Sequence, residues 1–373
     1  APAVTIIWEP IWEAEMTDTN IGLERSGHVV IGVDTHKHIH VAAALDPIGG
    51  LLSTLTIATD SGGFAALLEW ALTFGRIIAF GVEGTGSYGA GLTSYLHRQG
   101  HKVIEVSRPD RRMRRLNGKS DTLDAQNAAR SVLAGLSTAT AKTMDGTCEM
   151  LRELKVAHDT AVKARSQAMI ALKAVLVHSE ETLRKSTTKL TQIKLARHCA
   201  ALRPSSLSSP VDANRHALKR LAKRWLFLNE EAQDLEKMIK TLVKDHALQL
   251  LDAYCIGPDT AAEILIAVGD NPQRIRSEAA LAKLAGISPV PAGSGMNSGK
   301  HRINHAGHRQ LNAAIYRVVI ARMRYHQPTI DYVTQRTSEG KPKRDIIRCL
   351  KRYVIREVYQ LIKANPHTRQ ITA

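Results

Sequence analysis

The chain is poor in cysteine and places what it has too far apart to act together. Cys148, Cys199, Cys255 and Cys349 form no C-x-x-C pair, which excludes a zinc knuckle and points to a reducing compartment with buried, inert thiols. No uninterrupted apolar run approaches the roughly eighteen residues of a membrane span, so no membrane partner is expected. The opening APAVTIIWEPIWEAEM carries acids where a secretory signal has a basic flank, and the reading is a cytoplasmic protein. Met16 is an alternative start, and residues 1–27 form an N-terminal extension. Acids are outnumbered, 35 Asp and Glu against 51 Lys and Arg, giving a formal net charge of +16. Such a field attracts a polyanion and makes an acidic small molecule a poor account of the whole surface. Nucleic acid is the expected partner. The 373 residues are 44% hydrophobic and 23% charged, enough for two or three domains with real cores, which excludes disordered and collagen-like classes.

From His28 the chain reads HVVIGVD, then HIHVAAAL, then LLSTLTIA after Asp46-Pro47-Ile48-Gly49-Gly50, a pattern of three consecutive antiparallel strands. A helix from about Gly63 to Phe74, capped by Asp60 or Ser61, leads to the strand IIAFGV, a helix over Ala90 to Gln99 and a strand over Lys102 to Val106. Three antiparallel strands followed by alternating helix and parallel strand form the element order of the ribonuclease H-like fold. Residues 146–250 lack strand signals. Leu151, Leu154, His158, Ala161, Arg165, Ala168, Leu172 and Val175 recur at helical spacing, as do Trp225, Leu228, Ala232, Leu235 and Leu242, across the polar loop RPSSLSSPVD. Either a coiled-coil arm or a plain helical core satisfies that pattern. From Leu251, YCIGPDTAAEILIAVGD reads as two apolar helices around Gly257-Pro258, like the turn of a helix-hairpin-helix, and KPKRDIIRCLKRYVIREVYQLIK reads as a basic amphipathic helix. The expected class is α/β plus all-α: an N-terminal mixed sheet over 28–145, a helical linker over 146–250 and a mainly helical region over 251–373.

Four carboxylates stand at element boundaries. Asp34 follows the strand IGV, Glu83 ends the central strand, and Asp121 and Asp124 lie three apart on one face of a helix in KSDTLDAQNAARSV. In a ribonuclease H-like sheet the first and fourth strands are neighbours, so Asp34 and Glu83 meet and the following helix delivers the other two. Four converging acids repel unless a hard cation pairs them, and oxygen ligands suit Mg²⁺ or Mn²⁺. Immediately before the acidic pair, SRPDRRMRRLNGKSD supplies Arg108, Arg111, Arg112, Arg114, Arg115 and Lys119, a density suited to a phosphate backbone.

Two glycine-rich stretches invite other readings. Gly84, Gly86 and Gly89 have G-x-G-x-x-G spacing, with Glu105 where a Rossmann unit places its ribose-binding acid and Arg108 near enough for a 2′-phosphate, so an NAD(P)-dependent oxidoreductase is a possible class. The three preceding strands, Glu83 directly before the glycines and the basic charge count against it. The loop AGSGMNSGKHRINHAGHR fails as a P-loop: five residues before Gly299 stands Ser294 rather than glycine, and His301 occupies the Ser/Thr position. What remains is a serine flanked by glycine, Ser294, with Lys300, His301, Arg302 and Arg309 following. Such a serine can attack a phosphodiester while those cations stabilise the developing charge. By spacing alone, Ser298 is an equal candidate.

With these residues in view, the sequence resembles the DEDD transposases of the insertion-sequence-110 group, related to the Piv invertases, over roughly residues 28 to 340. The matching segments are GVDTHK, VEGTGSYG, KSDTLDA, IGPDTAAEIL, GISPVPAGSG and HRINHAGHRQLNAAIYR. The resemblance implies a RuvC-like catalytic domain followed by a transposase domain, a Mg²⁺-assisted recombinase and a phosphoserine intermediate formed on the serine after S-P-x-x-A, which selects Ser294. It further implies double-stranded DNA at element ends and target as substrate, a structured noncoding guide RNA, and a dimer or tetramer supported by the helical arm. A RuvC-like nuclease without serine chemistry, and a non-catalytic relic, are the remaining alternatives.

Overall fold

Three β-rich runs open the described chain. β1 (His28–Thr35), β2 (Ile39–Leu45) and β3 (Leu51–Ala58) are antiparallel neighbours, and the second turn closes on Asp46, whose carboxylate accepts from the Ile48 and Gly50 amides at 3.0 and 2.8 Å. The computed structural model describes residues 27–106, 120–293, 301–302, 304 and 307–364. The chain divides into two units, Ala1–Ala141 and Lys142–Ala373.

In the first unit, α1 (Ser61–Leu72) starts at Asp60, which accepts from the Gly63 amide at 2.8 Å. It returns the chain to β4 (Arg76–Glu83), parallel to β1, and α2 (Ala90–Arg98) does the same for β5 (Val103–Val106), parallel to β4. The sheet order β3-β2-β1-β4-β5 is the mixed, ribonuclease H-like arrangement expected from the element order. The pleat sends Val29, Ile31 and Val33 to one face, where Leu67, Ala71, Leu92 and Leu96 of α1 and α2 cover them. Val30, Gly32 and Asp34 take the other face, which α3 (Asp121–Leu133) covers with Ala125 and Ala129.

Helix α3 reaches that face because two glycines make room. Gly32 and Gly81 are register partners across β1 and β4. A Cβ on Gly32 would lie 2.0 Å from the Ala125 carbonyl oxygen and 2.5 Å from the Ala129 nitrogen; one on Gly81 would lie 2.7 Å from a Val132 methyl and 3.0 Å from the Ala128 carbonyl oxygen. Helix backbone therefore rests directly on sheet backbone.

The second unit is helical apart from one short strand pair. α4 (Thr147–Val177) and α7 (Pro210–Asp252) form an antiparallel arm, since Arg165 donates to Asn229 midway along it and Ser179, just past the end of α4, donates to Asn214 near the start of α7. Its seam differs in part from the sequence pattern. Leu218, Trp225, Ala232 and Ile239, seven residues apart, are buried, whereas Leu228, Leu235 and Leu242 are half-buried beside them. At the far end α5 (Glu181–Thr187) and α6 (Gln192–Ala200) complete a separate core of Leu172, Leu195, Cys199, Leu218 and Trp225. Within α7 the backbone at Ala247 leaves helical geometry, with φ −152° and ψ 57°.

The rest of the unit consists of α8 (Pro258–Val268), α9 (Glu278–Leu284), β6 (Val290–Pro291), β7 (His301–Arg302), α10 (Arg309–Tyr325), α11 (Gln327–Ser338) and α12 (Lys343–Lys363), and its helices share a core with the base of the arm. Two polar locks hold it. Buried Lys155 of α4 reaches Asp259 at 3.0 Å and Glu263 at 3.3 Å on α8, and Arg322 of α10 pairs with Glu357 while its guanidinium also donates to the Tyr254 carbonyl. Cys148 and Cys199 are buried, as expected, and burial pushes the Cys199 thiol up to about 11; Cys255 and Cys349 are only half-buried, because one sits in the turn before α8 and the other beside the apolar stripe of α12 rather than on it. Among the described residues, no helix is long and apolar enough to cross a membrane.

The glycine contact makes a direct prediction. Gly32→Ala should destabilise the protein by on the order of 3 kcal/mol in urea unfolding. Gly86→Ala, where an added Cβ meets nothing within 4 Å, should stay within about 0.5 kcal/mol of the parent; equal effects at the two positions would show that α3 does not depend on the glycine groove.

Candidate active site

The acids gather where the strands end. Val33 and Val82 are register partners in parallel β1 and β4, so Asp34 and Glu83 stand next in line as neighbours at the carboxyl edge of the sheet. Thr35 ties the two strand ends by donating its hydroxyl hydrogen to the Glu83 carbonyl at 2.8 Å. Ser120 caps α3 by accepting from the Leu123 amide, which places Asp121 and Asp124 in the first turn, where the helix dipole favours negative charge. Asp34 and Asp124 are buried, while Glu83 and Asp121 are half-buried.

Asp34 registers the convergence. Burial, and then the charges of Glu83, Asp124 and Asp121, together raise its carboxyl to about 6 against the opposing field of His36. Asp34 and Asp121 lie close enough, with His36, to share one ion, while Glu83 and Asp124 act on Asp34 through their charge; a buried carboxyl among like charges is a setting that a hard divalent cation relieves, so the residues present fit such an ion. A second acidic group, His158, Asp159 and Asp259, also lies within 4.8 Å, but there Lys155 and Arg317 already supply the positive charge.

His36 is the member that the sequence pattern alone did not single out. Its Nε2 lies 3.9 Å from an Asp34 carboxylate oxygen and 3.7 Å from one of Asp121, and the three residues could together hold an ion. His36 stands just past the end of β1, where strand alternation no longer marks which residues share a face.

The glycines after Glu83 turn the chain rather than cradle a dinucleotide. Gly84 has φ +69°, and the Ser87 and Gly89 amides both donate to its carbonyl, at 2.9 and 3.1 Å, while the Ala90 amide donates to the Ser87 carbonyl. Amides that would hold a pyrophosphate are thus already engaged at the start of α2. Gly86 alone of the three faces open space, so the spacing of the three glycines does not reflect one shared steric need. Strand order separates the chain from a Rossmann unit, because β4 comes after three antiparallel strands.

In the second unit, β6 pairs with β7 and brings His301 and Arg302 beside Pro291 and Val290, with Arg309 exposed at the start of α10. Ser294, Ser298 and Lys300, and the run containing Arg108, Arg111, Arg112, Arg114, Arg115 and Lys119, lie outside the described residues. The turn at Gly257-Pro258 opens α8, whose first-turn Asp259 is taken up by Lys155 and by Arg317 at 3.2 Å.

The Asp34 environment makes stability depend on pH and metal. With the folded carboxyl titrating near 6 rather than at its ordinary 3.8, the unfolded chain releases this proton first. Rising pH therefore favours unfolding between those values, and the penalty is constant above about 6. Asp34→Asn should raise Tm at pH 7.5 without metal, on the order of 3–6 °C, and change little near pH 4. Added Mg²⁺ or Mn²⁺ should stabilise the parent and not the variant; equal metal responses would remove Asp34 from the ion's ligands.

Two family models match the chain. Residues 31–179 match one described as a transposase, that of the DEDD transposases of IS110 elements. Residues 249–334 match the transposase model of the IS116/IS110/IS902 family. Over 146 residues the chain is 28% identical to the uncharacterized 42 kDa protein of insertion element IS900 from Mycobacterium paratuberculosis, a stretch that covers 39% of this chain and 37% of that relative. The match thus spans little more than a third of the relative's length. The two models, from one transposase group, fall on separate stretches that together exceed half of the sequence, and on that ground the chain belongs to the IS110 family of transposases.

Proposed function

We propose that the protein is a transposase acting as a site-specific DNA recombinase, with Asp34, Glu83, Asp121 and Asp124 holding Mg²⁺ and Ser294 as nucleophile. The observation that carries this reading is the convergence of three other carboxylates on buried Asp34 at the edge of a ribonuclease H-like sheet. A bound Mg²⁺ would supply Lewis-acid stabilisation of charge on the scissile phosphate. The acids orient that ion through strand ends and a helix start, and His36 stands within reach to hold or pass a proton at its Nε2.

The Ser294 oxygen adds to the phosphorus as its hydroxyl gives up a proton, the bond to the leaving sugar oxygen breaks, and that oxygen takes up a proton and departs as a hydroxyl. The phosphoserine linkage conserves the bond energy, so that another strand's hydroxyl can displace the serine and rejoin DNA without an external energy source. His301, Arg302 and Arg309, with Lys300, provide positive charge around that exchange, and the arginine-rich run from Arg108 to Arg115 with Lys119 contacts the phosphate backbone. An element-encoded structured RNA guides the choice of donor and target, the working assembly is a dimer or tetramer, and the protein acts in the cytoplasm on the nucleoid.

Denaturing gels test the chemistry. Protein co-expressed with the element's flanking RNA is mixed with labelled junction DNA and Mg²⁺. The parent should give a covalent protein–DNA band, Ser294→Ala should lose it, and Asp34→Ala should lower strand cleavage by at least about a hundredfold. Free nicked DNA from both the parent and Ser294→Ala, with no covalent band, would instead identify a metal-dependent nuclease.

A further inference from the structure

The second unit contains a cavity of about 460 Å³ between the turn after α9, the β6–β7 pair, α10 and α12. His301, Arg302, Arg344, Arg348 and Lys351 line it, and no carboxylate does among the described residues. Within the described residues, Arg348 alone of these has an acidic partner, Asp345 at 2.6 Å on its own helix. A neighbouring cavity of about 450 Å³ shares the walls at Gly286, Asn304, Asn312, Tyr316 and Lys351 and adds Arg309. Beneath both, Gly286 and Gly307 cross backbone to backbone: a Cβ on Gly307 would lie 2.1 Å from the Gly286 nitrogen. At that crossing neither residue has a side chain to fill the trough.

Lys351 is the informative cation. Its ammonium donates to Asn312 Oδ1 at 2.7 Å and lies 5.1 Å from the centre of the Tyr316 ring. Asn312 is itself fixed, its amide donating to the Ala285 carbonyl at 2.7 Å, so α10, α12 and the end of α9 jointly set the charge in place. Burial pulls the ammonium below its ordinary range, and no carboxylate among the described residues compensates. A half-buried cation held by a neutral amide and an aromatic ring is costly until an anion joins it.

We propose that this trough binds one nucleotide unit of an unpaired DNA strand, its phosphate between Lys351, Arg344 and Arg348, and its sugar or base against Tyr316. The inference rests on the recombinase reading, because unpaired strands arise at the cut. Size supports it: the cavity admits a nucleotide and is far too narrow for a duplex. So does composition, since cations beside a half-exposed aromatic ring form the pattern used for single strands. DNA rather than RNA is the favoured occupant because, on the recombinase reading, DNA is the nucleic acid that is cut and so the one that presents a free unpaired strand.

The test is fluorescence anisotropy of the full chain with a labelled single-stranded element-end oligonucleotide, measured against salt. Lys351→Met with Arg344→Gln should weaken binding about tenfold or more and reduce the magnitude of the salt slope by about 0.7 for each phosphate left without its cation. Tyr316→Ala should cost about tenfold with an unchanged slope, and Lys351→Arg should retain binding. The exposed pair Arg344→Gln and Arg348→Gln repeats the measurement should Lys351→Met fail to fold. Parent-like affinity and slope in both sets overturn the proposal, as does a preference for RNA of the same sequence that these variants abolish. Serine adducts formed by the parent while every variant binds normally sink the trough alone. No adduct from the parent, with binding still reduced in the variants, sinks the recombinase reading and leaves the trough as a single-strand site.

Discussion

The contact on which the first unit depends is backbone against backbone: α3 lying on Gly32 and Gly81. An ordinary helix is held off a sheet by the side chains between them. Here two residues without side chains stand opposite one another, and Ala125, Ala128 and Ala129 present the smallest helical surface that still excludes water. The first turn of α3 therefore arrives level with the strand ends. Each acid stands two residues beyond its glycine, on the same face, in Gly32-Val33-Asp34 and Gly81-Val82-Glu83. One steric device thus sets both how close the helix comes and which carboxylates it meets.

That proximity has an electrostatic cost, borne by Asp34, which sits among like charges with His36 as the group opposing them. The second unit solves its own burial problem differently. Lys155 is paired within its core by Asp159, Asp259 and Glu263, a set in which carboxylates outnumber cations and no positive charge is left for an anion. Among the described residues Lys351 has no such set, and the difference between the two lysines separates a structural lock from the proposed single-strand site.

Much of this was legible in the sequence. Alternation gave the first three strands, the Asp60 cap marked a helix start, and the element order implied that the strands ending in Asp34 and Glu83 are neighbours. What escaped notice depends on partners distant in the chain. Lys351 and Arg344 read as the solvated face of an amphipathic helix, because Asn312 and Tyr316, which give Lys351 its setting, lie more than thirty residues away. His36 is silent in the sequence because a histidine just beyond a strand carries no helical or strand pattern of its own. The glycines after Glu83 were ambiguous for a physical reason: a strand-to-helix turn uses similar residues whether or not it meets a pyrophosphate, and only the order of strands tells the cases apart.

The irregular turn at Ala247 lies inside the basal core, not at its margin: Ile239 and Val243 before it and Leu250 after it pack into the same cluster. Farther back along α7, Leu218 and Trp225 belong to the separate core at the tip of the arm. At 1.5 Å per residue, the stretch from Pro210 to Ala247 is about 55 Å long. One helix thus ties two cores together, so that loosening either end frees a lever anchored at the other.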